Sequence, residues 1–257
     1  MSLGSSDLVL PYAAGADDRG GRVDFAKERE PEPVERVPWA EVNRFVIGTL
    51  ERPRTKKQRQ AVWGERAVRV PRGRKGYDQV FAPCAYVASA EETAARVPGA
   101  AFALFEDAAR ERLLCSVGVP AQEARGVLAY PVRDAAGTEV GTVRRVPGGP
   151  LRRHTWRVTQ PGHPEITGAG ELAQHGLAGK AVSIGLAATS VLLDLSTRAG
   201  AGGKPRELTW AAERKNVMHS AGSKEMTLRA DWFDRRLAFA FALIGDGAVP
   251  NRGAAGS

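Results

Sequence analysis

The residues best equipped to recognise a ligand are cations, and they are concentrated in one window. Arg52, Arg54, Lys56, Lys57, Arg59, Arg66, Arg69, Arg72, Arg74 and Lys75 share it with a single acid, Glu65. The whole chain has a net charge of +8, so this window exceeds the total excess and leaves the remainder close to neutral. Cations at that density neutralise phosphates. The phosphates could be those of nucleic acid, with Trp63 and Tyr77 available to stack on bases, or those of an anionic membrane surface. A charge run is also often no more than a solvated stretch of chain. The anion contacts expected here are Arg52, Arg54, Lys56, Lys57, Arg59, Arg72, Arg74 and Lys75. A second cluster, Arg144, Arg145, Arg152 and Arg153, falls between two predicted hairpins.

Catalytic chemistry finds less in the chain. Gly168-Ala169-Gly170-Glu171-Leu172-Ala173 matches a dinucleotide pattern, and Asp194 lies 24 residues beyond Gly170. In that reading a pyrophosphate sits on a helix N-terminus, the acid holds a ribose, and the protein is a nicotinamide-dependent enzyme. The preceding strand, Glu165-Ile166-Thr167, is short for a βαβ unit, and too little chain follows for a doubly wound sheet. Gly203-Lys204 fails the phosphate-loop pattern, because Arg198 stands at its first glycine and Pro205 at its Ser/Thr. His154, His163, His175 and His219 are isolated from one another and from cysteine or carboxylate at metal spacing, so surface or turn positions are expected. No catalytic residue, metal ligand or cofactor is assigned from sequence.

Composition narrows the class. Hydrophobic content of 43% against 26% charged residues describes a soluble globular chain, and 257 residues suffice for one ordinary domain with an appendage. Two cysteines, Cys84 and Cys115, make neither a disulfide framework nor a zinc motif, which suits a reducing compartment; Cys115 should pack inward from a strand. The N-terminus lacks a basic segment followed by an apolar core, so a cytoplasmic location is expected.

The positioning elements follow from periodicity. Residues 1–37, rich in Gly, Pro, Asp, Glu and Arg, are expected to be disordered, as is the tail 251–257. Residues 38–100 look like a basic extension with short helices. One is an amphipathic helix from Pro38 with Trp39, Val42, Val46 and Leu50 on one face; another is capped by Ser89 and Glu92 and runs to about Val97. Three hairpins then succeed one another. Ala101–Glu106 pairs with Leu113–Val117, Val127–Arg133 with Thr138–Val146, and Thr155–Val158 with Glu165–Thr167; the first two turns each open with Asp-Ala-Ala. Leu208–Ala212 and Met226–Ala230 look like further strands. Ala181–Leu193 is a charge-free run too short for a membrane span, expected as a buried helix or strand.

The last segment is the most apolar. Leu237 to Gly245 has no polar side chain, and as a helix it would be about 14 Å long, half the thickness of a bilayer core. Large and small residues alternate through Leu237, Ala238, Phe239, Ala240, Phe241, Ala242 and Leu243, a strand-like period. The alanines, with Asp231 as a possible cap and Asp234 near the helix dipole, favour a helix. Such a helix is apolar on every face, so a sheet must close around it.

Repeated hairpins (Tyr130-Pro-Val-Arg-Asp-Ala-Ala-Gly-Thr-Glu-Val-Gly-Thr-Val-Arg-Arg, then Thr155-Trp-Arg-Val) followed by a terminal apolar helix resemble the tubby-like barrel superfamily. That group includes the tubby C-terminal domain, the LURP-one-related proteins and the phospholipid scramblases. The resemblance covers residues 101–250 and implies a mainly β protein: a closed antiparallel barrel of about a dozen strands around a buried C-terminal helix. It also implies a basic patch on the barrel that reads phosphoinositide headgroups, which points to the Arg144, Arg145, Arg152 and Arg153 cluster. The expected function is non-enzymatic binding of anionic ligands, foremost phospholipid headgroups, with possible peripheral membrane contact and no transmembrane span. Nucleic-acid binding through 52–75 and the nicotinamide-dependent enzyme are the alternatives.

Overall fold

Twelve strands close around the terminal helix, and more of the chain contributes them than the hairpin rhythm suggests. The computed structural model describes residues 33–56, 58–148, 154–170, 207–222 and 225–245. Lys57, Arg152, Arg153, His175, Asp194, the run Ala181–Leu193, and residues 1–32 and 251–257 lie outside the described residues.

The strands are β1 (Arg44–Arg52), β2 (Val62–Arg72), β3 (Val80–Val87), β4 (Ala100–Phe105), β5 (Leu113–Gly118), β6 (Ala121–Gln122), β7 (Leu128–Asp134), β8 (Glu139–Val146), β9 (Thr155–Thr159), β10 (Ile166–Gly170), β11 (Glu207–Ala212), β12 (Lys215–Ala221) and β13 (Glu225–Leu228). Among the described residues two α-helices accompany them, α1 (Ala90–Arg96) and α2 (Arg235–Ile244). The order β5-β4-β3-β2-β1-β13-β12-β11-β10-β9-β8-β7 is closed by β5 pairing with β7, giving a twelve-strand antiparallel barrel with short β6 added beside β7. Closure leaves the ring no free edge.

The barrel therefore begins at Arg44, and not near Ala101 as the sequence suggested. The expected amphipathic helix from Pro38 is a single 3-10 turn, Trp39–Glu41, followed by β1. Val46, Ile47 and Thr49 are β-branched and favour an extended backbone, while Phe45 is buried against the terminal helix. Val34 and Val37, expected in a disordered arm, pack on the core, and the Val37 N–H donates to the Pro83 carbonyl at 2.9 Å. The three predicted hairpins stand as β4–β5, β7–β8 and β9–β10. The capped helix is α1: Ser89 Oγ accepts the Glu92 N–H at 3.1 Å, and the Glu92 carboxylate accepts the Ser89 N–H at 2.8 Å.

Helix α2 fills the barrel, with every residue from Leu237 to Ile244 buried. Its alternation of large and small residues has a helical explanation. Two residues advance about 200° around a helix, so alternate large side chains reach opposite walls. Phe239 meets Phe45 of β1 edge-on at 4.8 Å, and Phe241 meets Trp210 of β11 and Trp156 of β9 at 4.5 and 5.2 Å. Gly141 of β8 lets the helix approach: a Cβ there would stand 3.1 Å from the Leu237 methyl carbons. Asp234 is the N-cap, accepting the Arg236 N–H at 2.9 Å, a role the sequence had offered to Asp231. Among the described residues no helix is long and apolar enough to cross a membrane.

Candidate anion-binding site

The basic window does not form one surface, because β2 runs through its middle. Eleven strand residues at about 3.3 Å each put some 33 Å between its two halves. Arg52, Arg54, Lys56 and Arg59 lie at the β1–β2 connection, whereas Arg72, Arg74 and Lys75 lie at the β2–β3 turn on the opposite end of the barrel.

The β1–β2 connection, residues 53–61, contains no acid. Its tip is a turn in which the Thr55 N–H donates to the Gln58 carbonyl at 2.8 Å and the Gln58 N–H donates to Thr55 Oγ1 at 3.0 Å. That closure projects Lys56, with Arg54 and Arg59 on its flanks; all three are exposed, and among the described residues none of them enters an ion pair. Trp63, 50% exposed, opens β2 just behind them. At the far end Gly73 and Gly76, both with φ near +75°, shape the turn that carries Arg74, Lys75 and half-exposed Tyr77. There Asp78 Oδ1 accepts the Arg74 backbone N–H at 2.6 Å and closes the turn, placing a carboxylate beside the cations.

One member of the window is structural. Arg69 is fully buried and donates to four oxygens: the carbonyls of Gly48 (3.1 Å), Phe81 (3.0 Å) and Glu65 (2.6 Å), and the Glu51 carboxylate (3.2 Å). Its guanidinium ties β1, β2 and β3 together, so it contributes to the sequence charge and not to any exposed patch. Sequence offered a hint only in its strand-interior position between Val68 and Val70.

The second cluster divides by strand alternation. Arg144 stands outward from β8, its Nε 3.2 Å from both Glu123 carboxylate oxygens and its Nη1 donating to Thr159 Oγ1 at 2.9 Å. Arg145 pairs in register with Trp156 and with Leu128, both on the core side, so it faces the barrel mouth. It is half-buried and makes no hydrogen bond or ion pair among the described residues. With Gly126, Leu128, Pro147, Gly148 and His154 it lines an open cleft of about 350 Å³. His154 packs edge-on to Trp156 at 5.8 Å. The β8–β9 and β1–β2 connections are on the same end of the barrel, half a circuit apart in the ring of twelve.

The remaining candidates have packing roles. Gly168 sits inside β10 between β9 and β11, and a Cβ on it would come within 3.0 Å of the Trp210 ring. The glycine is thus where an indole lies flat on a strand, in an antiparallel setting instead of the strand-turn-helix that a pyrophosphate requires. His163 stacks on Trp232 at 4.5 Å, and His219 stands 4.0 Å from the Glu207 carboxylate. Cys84 and Cys115 are buried, and burial pushes both thiols up to about 12, which removes the thiolate nucleophile. Among the described residues no three His, Cys, Asp or Glu gather to hold a metal.

Compared with protein-family models, with curated proteins and with solved structures, the chain matches none of them.

Proposed function

We propose that this protein is a tubby-like barrel acting as a non-enzymatic binder of anionic ligands, foremost phospholipid headgroups, at the cytoplasmic surface of a membrane. The observation that carries the proposal is the β1–β2 connection: Arg54, Lys56 and Arg59 project unpaired from a loop without acids, on the same end of the barrel as unpaired Arg145. Cations held this way keep their full field for a partner. Each contributes on the order of 1 kcal/mol near anionic headgroups. Helix α2 occupies the barrel interior, which directs recognition to the rim. Among the described residues both thiols are buried, and His154 and His163 pack against indole rings.

Flotation of the full chain with phosphatidylcholine vesicles, with and without phosphatidylserine or phosphoinositide, tests the proposal. Co-flotation only with anionic vesicles, weakened by salt, is expected. Absence of co-flotation at both low and physiological salt would overturn it. A gel shift with duplex or single-stranded DNA, run in parallel, addresses the alternative; DNA binding without vesicle binding would replace the lipid by nucleic acid.

A further inference from the structure

The two ends of the barrel differ in what surrounds their exposed aromatics. Among the described residues, the connections at the Trp63 end (53–61, 88–99 and 119–127) hold five cations and three acids. Those at the other end (73–79, 106–112, 135–138, 160–165, 213–214 and 229–234) hold six cations and eight acids. Trp63 follows a loop of cations, and Val119, 60% exposed, follows β5 on the same end. Trp232, 37% exposed, is flanked instead by Asp231 and Asp234, and its ring is already stacked on His163. Tyr77 has cationic neighbours but lies on the acid-rich end, beside Asp78.

An indole at the edge of a basic loop suits the boundary between headgroups and acyl chains, because its apolar body and its N–H meet different solvents there. Nucleic acid would use the same cations but would not draw an aliphatic side chain such as Val119 into contact. We infer that the barrel docks end-on to an anionic bilayer, with Arg54, Lys56 and Arg59 among the headgroups and Trp63 immersed at the interface. The acid-rich end then faces away, since bringing its carboxylates to an anionic surface would be repulsive. The inference rests on the lipid reading proposed above and adds an orientation, an anchoring residue and a bilayer, rather than a soluble headgroup, as the partner.

Trp63 reports on one end and Trp232, with part-buried Trp39, on the other, while Trp156 and Trp210 are fully buried. The full chain, Trp63→Phe and Trp232→Phe are mixed with phosphatidylcholine and phosphatidylserine vesicles in which part of the phosphatidylcholine is brominated. Bromine-dependent quenching is expected in the wild type and in Trp232→Phe, and its loss in Trp63→Phe. Trp63→Ala should partition about tenfold more weakly, as burial of an aromatic side chain implies, with its thermal midpoint unchanged. Flotation accompanied by quenching that survives Trp63→Phe, or vanishes in Trp232→Phe, overturns the orientation and leaves the lipid reading intact. Absence of flotation overturns both. Equal affinity for a soluble inositol phosphate and for the bilayer would overturn the anchoring role of Trp63.

Discussion

Each end of strand β2 presents three exposed cations and a half-exposed aromatic, and the two ends differ in what is built around those cations. At the β2–β3 turn, Arg72, Arg74 and Lys75 share the barrel end through which α2 enters. That end is cross-linked throughout. Trp39 Nε1 donates to Glu106 Oε1 at 3.1 Å, Arg236 lies over the Trp39 ring and pairs with Asp234 at 2.7 Å, and Arg235 Nη2 donates to Asn43 Oδ1 at 3.1 Å. Gln160 clamps the helix entry, donating to the Trp232 carbonyl and accepting the Asp234 N–H, both at 2.9 Å. At the β1–β2 end Arg54, Lys56 and Arg59 meet no acid. Equal charge therefore sits in unequal surroundings: one end is built around the entry of the helix, and the other carries its cations on a loop without acids.

The widest gap should separate Arg69 from its exposed neighbours in sequence. Arg69→Ala leaves the Glu51 carboxylate and three carbonyls without their donor, and a cost of about 3–5 kcal/mol is expected for removing one partner of a buried pair. Chemical denaturation measures it; a loss below about 1 kcal/mol would mean that the guanidinium is structurally dispensable. Replacing Arg54, Lys56 and Arg59 together by Ser should do the reverse. Stability should stay within about 0.5 kcal/mol, as for surface substitutions, while vesicle affinity falls about a hundredfold, at roughly 1 kcal/mol per cation. A triple variant that binds normally would dissolve the distinction between the two ends.

How much of this was legible in the sequence can be judged element by element. The hairpins β4–β5 and β7–β8 announce themselves through Asp-Ala-Ala turns, in which Asp107 and Asp134 accept backbone N–H groups from residues two to five positions ahead. Strand β12 did not, because its turn is made by Glu213 and Arg214. Both adopt positive φ, 46° and 68°, as a two-residue primed hairpin demands, yet neither residue type signals a turn. Strand β1 was hidden for another reason: its apolar residues fit a helical spacing as well as an extended one, and only Phe45's contact with Phe239, nearly two hundred residues away in the chain, decides between them. The candidate site suffered from the same blindness to long-range placement. Ten basic residues in a row of twenty-four look like one patch until an eleven-residue strand carries them to opposite ends. The terminal helix, by contrast, was legible because its apolarity on all sides admits only an enclosed position.

The cross-linked end should yield smaller, separable effects. Asp234→Ala removes the cap of α2 and the partner of Arg236, and should cost about 1–2 kcal/mol in denaturation without altering vesicle binding. Loss of binding in that variant would show that the two ends are coupled through the helix. Replacing Glu213-Arg214 by Asn-Gly should raise stability by about 1 kcal/mol, because both residues then adopt positive φ at little steric cost. No gain would mean that the side chains of Glu213 and Arg214 compensate for the strain.

The smallest effect distinguishes the ends by acid. The Asp107 carboxyl is held below the usual carboxylate range, chiefly because it accepts the Glu111 N–H at 3.0 Å, with a further bond from the Arg112 N–H at 2.8 Å. A folded-state value below the unfolded one means that this contribution is fully present above the ordinary carboxylate range and is lost as pH falls through the lowered folded value. Thermal midpoints measured on acidification should therefore decline through that window, and Asp107→Asn should flatten part of the decline. Acid thus weakens the end that holds the helix. A wild-type and Asp107→Asn pair with superimposable pH profiles would mean that the β4–β5 turn stands without its carboxylate bonds.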